Sequence, residues 1–427
     1  MTDSKKHYLI PMIIIGGLFF IFGFITWLNG TLIPFLKLAC DLKTDGQALL
    51  VTFAFYMAYF FLAIPSSFIL NMTGYKKGMA LGLFVMALGA LIFLPAASSR
   101  HFALFLTGLF VQGMGLSLLQ TASNPYISVI GPIESAAQRM SIMGICNKVA
   151  GALSPIILSA VVLKGANEVE TKIATATDEA TRNQLLQELS NRVITPYTVM
   201  AIVLSALALL IWFSALPEIE NEGGDSSDNS LNKSKNSIFQ FPHLLLGALC
   251  IFVYVGAEVM AGDVIGQYGR SMGMSLDETK IFTSYTLISM VVGYVIGVIT
   301  IPKFIKQEVA LKICSITGVA FVTLAFFTNG YVSIFFIAIT GLANSLMWPA
   351  IFPLAIEGLG RFTKTGSALL IMGIAGGAVI PQIYGQLVKM LPSQTAFFIC
   401  TVPCYLYILF FATIGHRVGL GNAPKRN

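Results

Sequence analysis

Long apolar runs alternate with short polar punctuation along the chain, and the runs recur about twelve times. Each reaches the roughly 20 residues that a helix needs to cross the hydrocarbon of a bilayer. In the first half they fall near 8–36, 46–72, 77–97, 102–130, 140–163 and 194–215. In the second they fall near 241–268, 278–301, 308–328, 332–358, 365–388 and 395–415. A membrane barrel would instead show alternating segments of about ten residues. The pattern therefore predicts an all-α membrane protein with twelve transmembrane helices.

Two longer polar stretches break the rhythm. Residues 164–193 are rich in Ala, Glu, Gln and Thr and predict a short surface helix. Residues 216–240 are rich in Gly, Ser, Asn and Asp, the composition of a flexible linker. That linker leaves six helices on either side, which predicts an N-terminal bundle over 1–215, a cytoplasmic linker over 216–240 and a C-terminal bundle over 241–427. A duplication fits this division. Ile142-Met143-Gly144-Ile145 recurs 229 residues later as Ile371-Met372-Gly373-Ile374, in the helix of the same rank in each half.

Composition agrees with the pattern: 56% of residues are hydrophobic, 11% are charged, and the mean hydropathy is +0.79. With the N-terminus cytoplasmic, the inner loops carry fourteen Lys and Arg against ten outside, and four of those ten belong to the long 164–193 insert. The bias places both termini in the cytoplasm. The net charge of +6 is then largely an orientation signal and calls for no nucleic-acid partner. The first apolar run outlasts the hydrophobic core of a cleavable signal peptide and is read as a retained helix. The six cysteines show no CxxC pairing, the four histidines form no metal-ligand pattern, and no phosphate loop, dinucleotide fingerprint or nucleophile elbow is found. No enzyme, cofactor or metal is expected, and the partners are a small polar substrate and the bilayer.

Chemistry enters with the polar residues inside the apolar runs. Lys148 sits next to Asn147 in the fifth helix, and a permanent charge at that depth costs roughly 2.5–3.5 kcal/mol on insertion scales. Thr26 and Asn29 share a face of helix one, Gln120 and Asn124 a face of helix four, and Asn344 and Trp348 a face of helix ten, by their three- or four-residue spacing. Any single amide could serve only to bridge neighbouring helices, at about 0.6 kcal/mol per hydrogen bond. Taken together, amides beside an indole suit a sugar, whose hydroxyls pair with amides while an aromatic face covers its C–H side. Glu258, one turn after Tyr254 in helix seven, is the group a cation-coupled carrier requires. It could equally ligate sodium, pair with Lys148 or accept from sugar hydroxyls. Asp263, five residues on, is expected nearer the outer surface and half solvated. Glycines and prolines along helices five and eleven fit helices that bend and slide.

The stretch 120–151 (QTASNPYISVIGPIESAAQRMSIMGICNKVAG), with LNGTLIPF at 28–35, YVGAE at 254–258 and PAIFPLAIEGLG at 349–360, resembles the fucose, galactose and glucose symporter family of the major facilitator superfamily. Asn124-Pro125-Tyr126, Gly131-Pro132, Arg139 and Asn147 match that family's pattern, and the Asn-Lys-Val-Ala-Gly variant of helix five looks most like its bacterial glucose/galactose transporters. The resemblance implies two six-helix bundles and alternating-access symport of a hexose with H+ or Na+ in the bacterial inner membrane, the carrier working as a monomer. It also shows departures. Gly30 and Gln120 stand where the family's L-fucose permease has acids, and Asn71 replaces the usual aspartate of the loop between helices two and three. The residues expected to bind substrate are Asn29, Gln120, Asn124, Asn147, Lys148, Asn344 and Trp348, with Glu258 and Asp263 coupling the ion. L-Fucose and N-acetylglucosamine are alternative substrates, and a sugar receptor that moves nothing is the rival of another class.

Overall fold

The computed structural model describes residues 3–129, 136–176, 178–214, 216, 237–301, 304–359 and 362–420. Nearly all of the predicted linker, Gly131-Pro132 and the side chain of Arg139 lie outside them, as do several of the basic residues counted above. Among the described residues there is no strand, and twelve helical segments are long and apolar enough to cross a bilayer. Numbered in chain order as spans 1 to 12, they are Pro11–Ala39, Asp45–Leu70, Met72–Ser99, Phe102–Asn124, Ile142–Val162, Glu179–Phe213, Pro242–Gly262, Leu276–Thr300, Gln307–Phe327, Gly330–Ile356, Thr365–Leu387 and Ser393–Thr413. Large apolar side chains such as Phe68, Met72, Ile202 and Phe213 point outward, as side chains in lipid can.

An even number of crossings puts the start of span 1 and the end of span 12 on one face of the bundle, here called the terminus face. Lys76, at the start of span 3, donates to the carbonyl of Ser214 after span 6 on that face (2.6 Å). The turn from span 2 to span 3 is made at Gly74, whose φ of 76° is a conformation that glycine reaches without a Cβ clash. The 164–193 insert lies on the opposite face as two helices, Ala166–Thr175 and Glu179–Asn191, where one was predicted, and the second leads directly into Ile194–Phe213, the apolar helix of span 6. Asp178 caps the second by accepting from the amide of Thr181 (2.7 Å). The insert buries Ile173, Leu186 and Leu189, and Arg182 pairs with Asp41 beyond span 1 (2.9 Å). The Arg182 guanidinium holds the Asp41 carboxyl below the usual carboxylate range.

Breaks within spans 1, 10 and 11, and the end of span 7, position the site. Span 1 is interrupted at Trp27 and Leu28, between helices Asp3–Thr26 and Asn29–Ala39. Its counterpart in the second half, span 7, ends at Gly262, and a short helix Ile265–Ser271 follows. Span 10 breaks at Leu346, and span 11 passes through a 3-10 turn at Gly373–Ala375. Paired breaks in corresponding helices of two repeats are where transporters place substrate, because unwound backbone is tolerated only where it lines a cavity or packs inside protein.

Candidate substrate cavity between the two halves

A cavity of about 770 Å3 lies between the halves. This is within the range of small-molecule sites, about 300–1,000 Å3. Its inner wall is formed by Phe19, Phe22, Thr26 and Trp27 of span 1, Tyr56 and Tyr59 of span 2, Gln120 and Asn124 of span 4, and Gly144, Asn147 and Lys148 of span 5. The second half contributes Tyr254, Val255 and Glu258 of span 7, Tyr294 of span 8 and Trp348, Pro349, Ala350 and Phe352 of span 10. The lining continues to Ile301, Lys306, Gln307 and Glu308, between spans 8 and 9, so the mouth is on the terminus face.

Charge is concentrated in one pair. Lys148 Nζ lies 2.9 Å from Glu258 Oε1, each side chain about one-tenth exposed, and the Tyr254 hydroxyl donates to the same oxygen at 2.8 Å. The ammonium also sits over the Trp27 ring, 4.4 Å from its centroid. Such a cation–π contact adds on the order of 0.5–2 kcal/mol, rising as the site loses water. Trp27 can occupy that place because Gly151 and Gly262 leave it room. A Cβ on either would come within 2.4 Å or 2.3 Å of its ring. The break in span 1, a glycine of span 5 and a glycine of span 7 thus hold one indole across the seam of the two halves.

The amides and aromatics stand around this pair. Gln120 donates to the Tyr59 hydroxyl at 2.8 Å, and Asn147 to the carbonyl of Phe19 at 3.4 Å. Trp348 stacks on Phe352 with centroids 5.8 Å apart and leans on Tyr254 at 6.5 Å. The arrangement offers hydrogen-bonding groups of both kinds beside broad aromatic faces, the surface a neutral polyhydroxylated ring would need.

Six of the nine residues singled out from the sequence line this cavity: Gln120, Asn124, Asn147, Lys148, Glu258 and Trp348. Three do not. Asn344, 0% exposed, accepts from the Tyr405 hydroxyl of span 12 at 2.9 Å, because the break at Leu346 turns it away from Trp348. Asn29, 1% exposed, lies beyond the break in span 1, and neither polar atom of its side chain has a hydrogen-bond partner among the described residues. Asp263 was expected to be half solvated and is 1% exposed, because the halves close over it. Trp27, Tyr56, Tyr59 and Tyr294 were not singled out. Tyr56 and Tyr59, one turn apart in an otherwise apolar run, and a tryptophan just before Leu-Asn-Gly were the signals present.

The opposite face is shut by contacts between the halves. Tyr56 donates to Asp263 at 3.3 Å, Gly30 packs on Thr283, and Gln382 reaches the carbonyl of Gly46 at 3.4 Å. Outside these, Arg270 pairs with Glu170, while Asn167 and Asp277 bond reciprocally at 3.3 and 3.2 Å.

Comparison with known proteins agrees with this geometry. The Major Facilitator Superfamily pattern matches residues 15–381. The chain is 34% identical over 419 residues to a glucose/galactose transporter of Brucella abortus, with 97% of this chain and 96% of that protein covered. It is 27% identical over 418 residues to an L-fucose-proton symporter of Escherichia coli, with 96% and 94% covered. The crystal structure of the E. coli fucose:proton symporter superposes with a TM-score of 0.73 at 26% identity, over 95% of this chain and 98% of that one.

Proposed function

The chain belongs to the Major Facilitator Superfamily, and from that premise we propose that it carries a hexose such as glucose or galactose across the bacterial inner membrane, coupled to a cation. The observation that carries this reading is the Lys148–Glu258 pair set in an aromatic cavity between the two halves. Both members are charged hydrogen-bonding groups that a sugar hydroxyl can join without leaving a buried charge bare. Gln120, Asn124 and Asn147 supply further polar contacts, and Trp348 and Trp27 cover the C–H faces of the ring. The names of the relatives support the substrate class.

With the termini cytoplasmic, as the basic-residue bias indicates, the cavity opens inward and the closed face is external. Transport then consists of parting the outer contacts and closing the halves over the cavity mouth, around a site that stays at the seam. The cation travels on an acid of span 7. The protein is a carrier rather than an enzyme, and it works as a monomer.

Uptake of radiolabelled glucose into proteoliposomes, with proton and sodium gradients imposed separately, tests this. Accumulation under one gradient, reduced by unlabelled galactose, is the expected result. Competition by L-fucose or N-acetylglucosamine alone would move the substrate. Binding without uptake or exchange of any of these sugars would make the protein a receptor and end the transport reading.

A further inference from the structure

Two carboxylates of span 7 are buried at the seam, and their charges are balanced differently. Glu258 has an ammonium 2.9 Å away. No ion pair among the described residues includes Asp263. Its Oδ2 accepts from the Tyr56 hydroxyl at 3.3 Å, the backbone N–H of Gly30 faces the carboxyl without closing a well-formed hydrogen bond, and Oδ1, fully enclosed, has no hydrogen-bond partner among the described residues. The charged groups nearest it are Glu258 on its own helix and Lys148 of span 5, and these already neutralise each other. The other elements against it present only uncharged groups: Tyr56 of span 2, Trp27 and Gly30 of span 1, and Thr283 and Thr286 of span 8. The two threonine hydroxyls cannot rescue a charge there, since they donate to the carbonyls of Gly262 and Ala261 at 2.7 Å, freed where the helix ends.

An ionised Asp263 would leave one net negative charge enclosed, at a cost of several kcal/mol. A neutral carboxyl removes that cost and fits the contacts. One oxygen accepts from Tyr56 and the other carries the proton. A metal cation is the poorer fit, because hard cations need a cage of oxygens, and Oδ1 has not even one hydrogen-bond partner among the described residues.

Position adds direction. Asp263 belongs to the second half and lies outside the cavity lining, on the closed side, whereas Tyr56 belongs to the first half and lines the cavity. Parting the halves on the closed face breaks their bond and bares the carboxyl to water there. Closing them buries it again, with Tyr56 the bridge to the cavity. We propose that Asp263, rather than Glu258, is the proton-carrying group of the transport cycle. This rests on the transport reading above. On the open face the carboxylate takes a proton from water. It keeps that proton while the halves close. On the cavity side the Tyr56 hydroxyl swings its hydrogen from Oδ2 to cavity water, the carboxyl rotates to turn its O–H to the Tyr56 oxygen, and the proton passes to that oxygen as the hydroxyl gives its own to the water, leaving the carboxylate to be exposed in the next cycle. Glu258, held neutral as a pair by Lys148, stays with the sugar.

Two measurements on the full-length protein test the assignment. In proteoliposomes, Asp263→Asn should exchange hexose across the membrane yet fail to concentrate it under an imposed proton gradient, and Asp263→Glu should regain accumulation. In detergent at neutral pH, the infrared difference spectrum of wild type against Asp263→Asn should contain the carbonyl band of a protonated carboxyl. Proton-driven accumulation by Asp263→Asn equal to wild type would overturn the proposal, as would accumulation driven by sodium and indifferent to pH. The infrared reading needs no substrate. Absence of the protonated band overturns the proposal even if sugar is carried, and its presence in a protein that moves no hexose would leave the proton on Asp263 and sink only the sugar.

Discussion

Glu258 and Asp263 are five residues apart on one helix and both are nearly inaccessible, 8% and 1% exposed, yet the fold treats them as opposites. The first faces the cavity, beside a tyrosine hydroxyl and the ammonium of a lysine from the other half, which an indole covers in turn. The second lies just past the helix end, behind the cavity, with a tyrosine hydroxyl and the backbone N–H of Gly30 beside it and no cation of its own. Depth and hydropathy cannot tell these two acids apart. What separates them is whether a cation from another helix arrives, and that decides which can stay charged and which must be neutral when the halves meet over it.

The difference is sharpest when Lys148 is removed. Lys148→Ala leaves Glu258 buried and unpaired, a change that costs about 3–5 kcal/mol where such pairs have been broken. Asp263→Asn removes an enclosed acid that has no counter-ion and should leave stability unchanged or raised. Thermal unfolding of the detergent-purified variants checks both, with Lys148→Met/Glu258→Gln expected to recover most of the loss. If Lys148→Ala melts with the wild type, the pair contributes nothing, and the contrast between the acids collapses.

A smaller effect is expected at the seam. Tyr56→Phe deletes the hydroxyl bridging the halves at Asp263, a net loss of about 0.5–1.5 kcal/mol for one hydrogen bond. It should favour the conformation open on the far face, read as faster labelling of a cysteine substituted for Thr283 of span 8, which is 2% exposed and faces Gly30 across the seam. Unaltered labelling would mean that this bond does not help to hold the face shut. The smallest effect is assigned to the exposed latch. Glu170→Gln breaks the pair with Arg270, and partly exposed pairs contribute about 0.2–1 kcal/mol. Labelling should shift in the same direction but less than in Tyr56→Phe. A larger shift would show that the insert, not the buried seam, governs closure.

The outline of the fold and part of the site were legible in the chain itself. Apolar runs of bilayer length, separated by short polar turns, define the spans because lipid offers no partner for backbone polar groups. Lys148 and Glu258 announced themselves because an ionisable residue at that depth is costly without a purpose. Their pairing was one of several possibilities, since 110 residues of chain separate them. Trp348 and Asn344 have helical spacing, and only the break at Leu346, which no local pattern marked, sends one into the cavity and the other against Tyr405. Trp27, Tyr56, Tyr59 and Tyr294 are ordinary aromatic residues of apolar runs until three different spans bring them to one cavity.

Periodicity and hydropathy are local properties, and by themselves they determined the class, the number of spans and the positions at which polar groups had to be explained. Which charge is answered by which, and which acid is enclosed without a counter-ion, depends on distances between helices remote in sequence. Those distances are settled by packing, by glycines that let Trp27 into the seam and by the closing of one half on the other. Tertiary structure therefore decided that Glu258 faces the cavity beside Lys148 while Asp263 is shut away behind Tyr56.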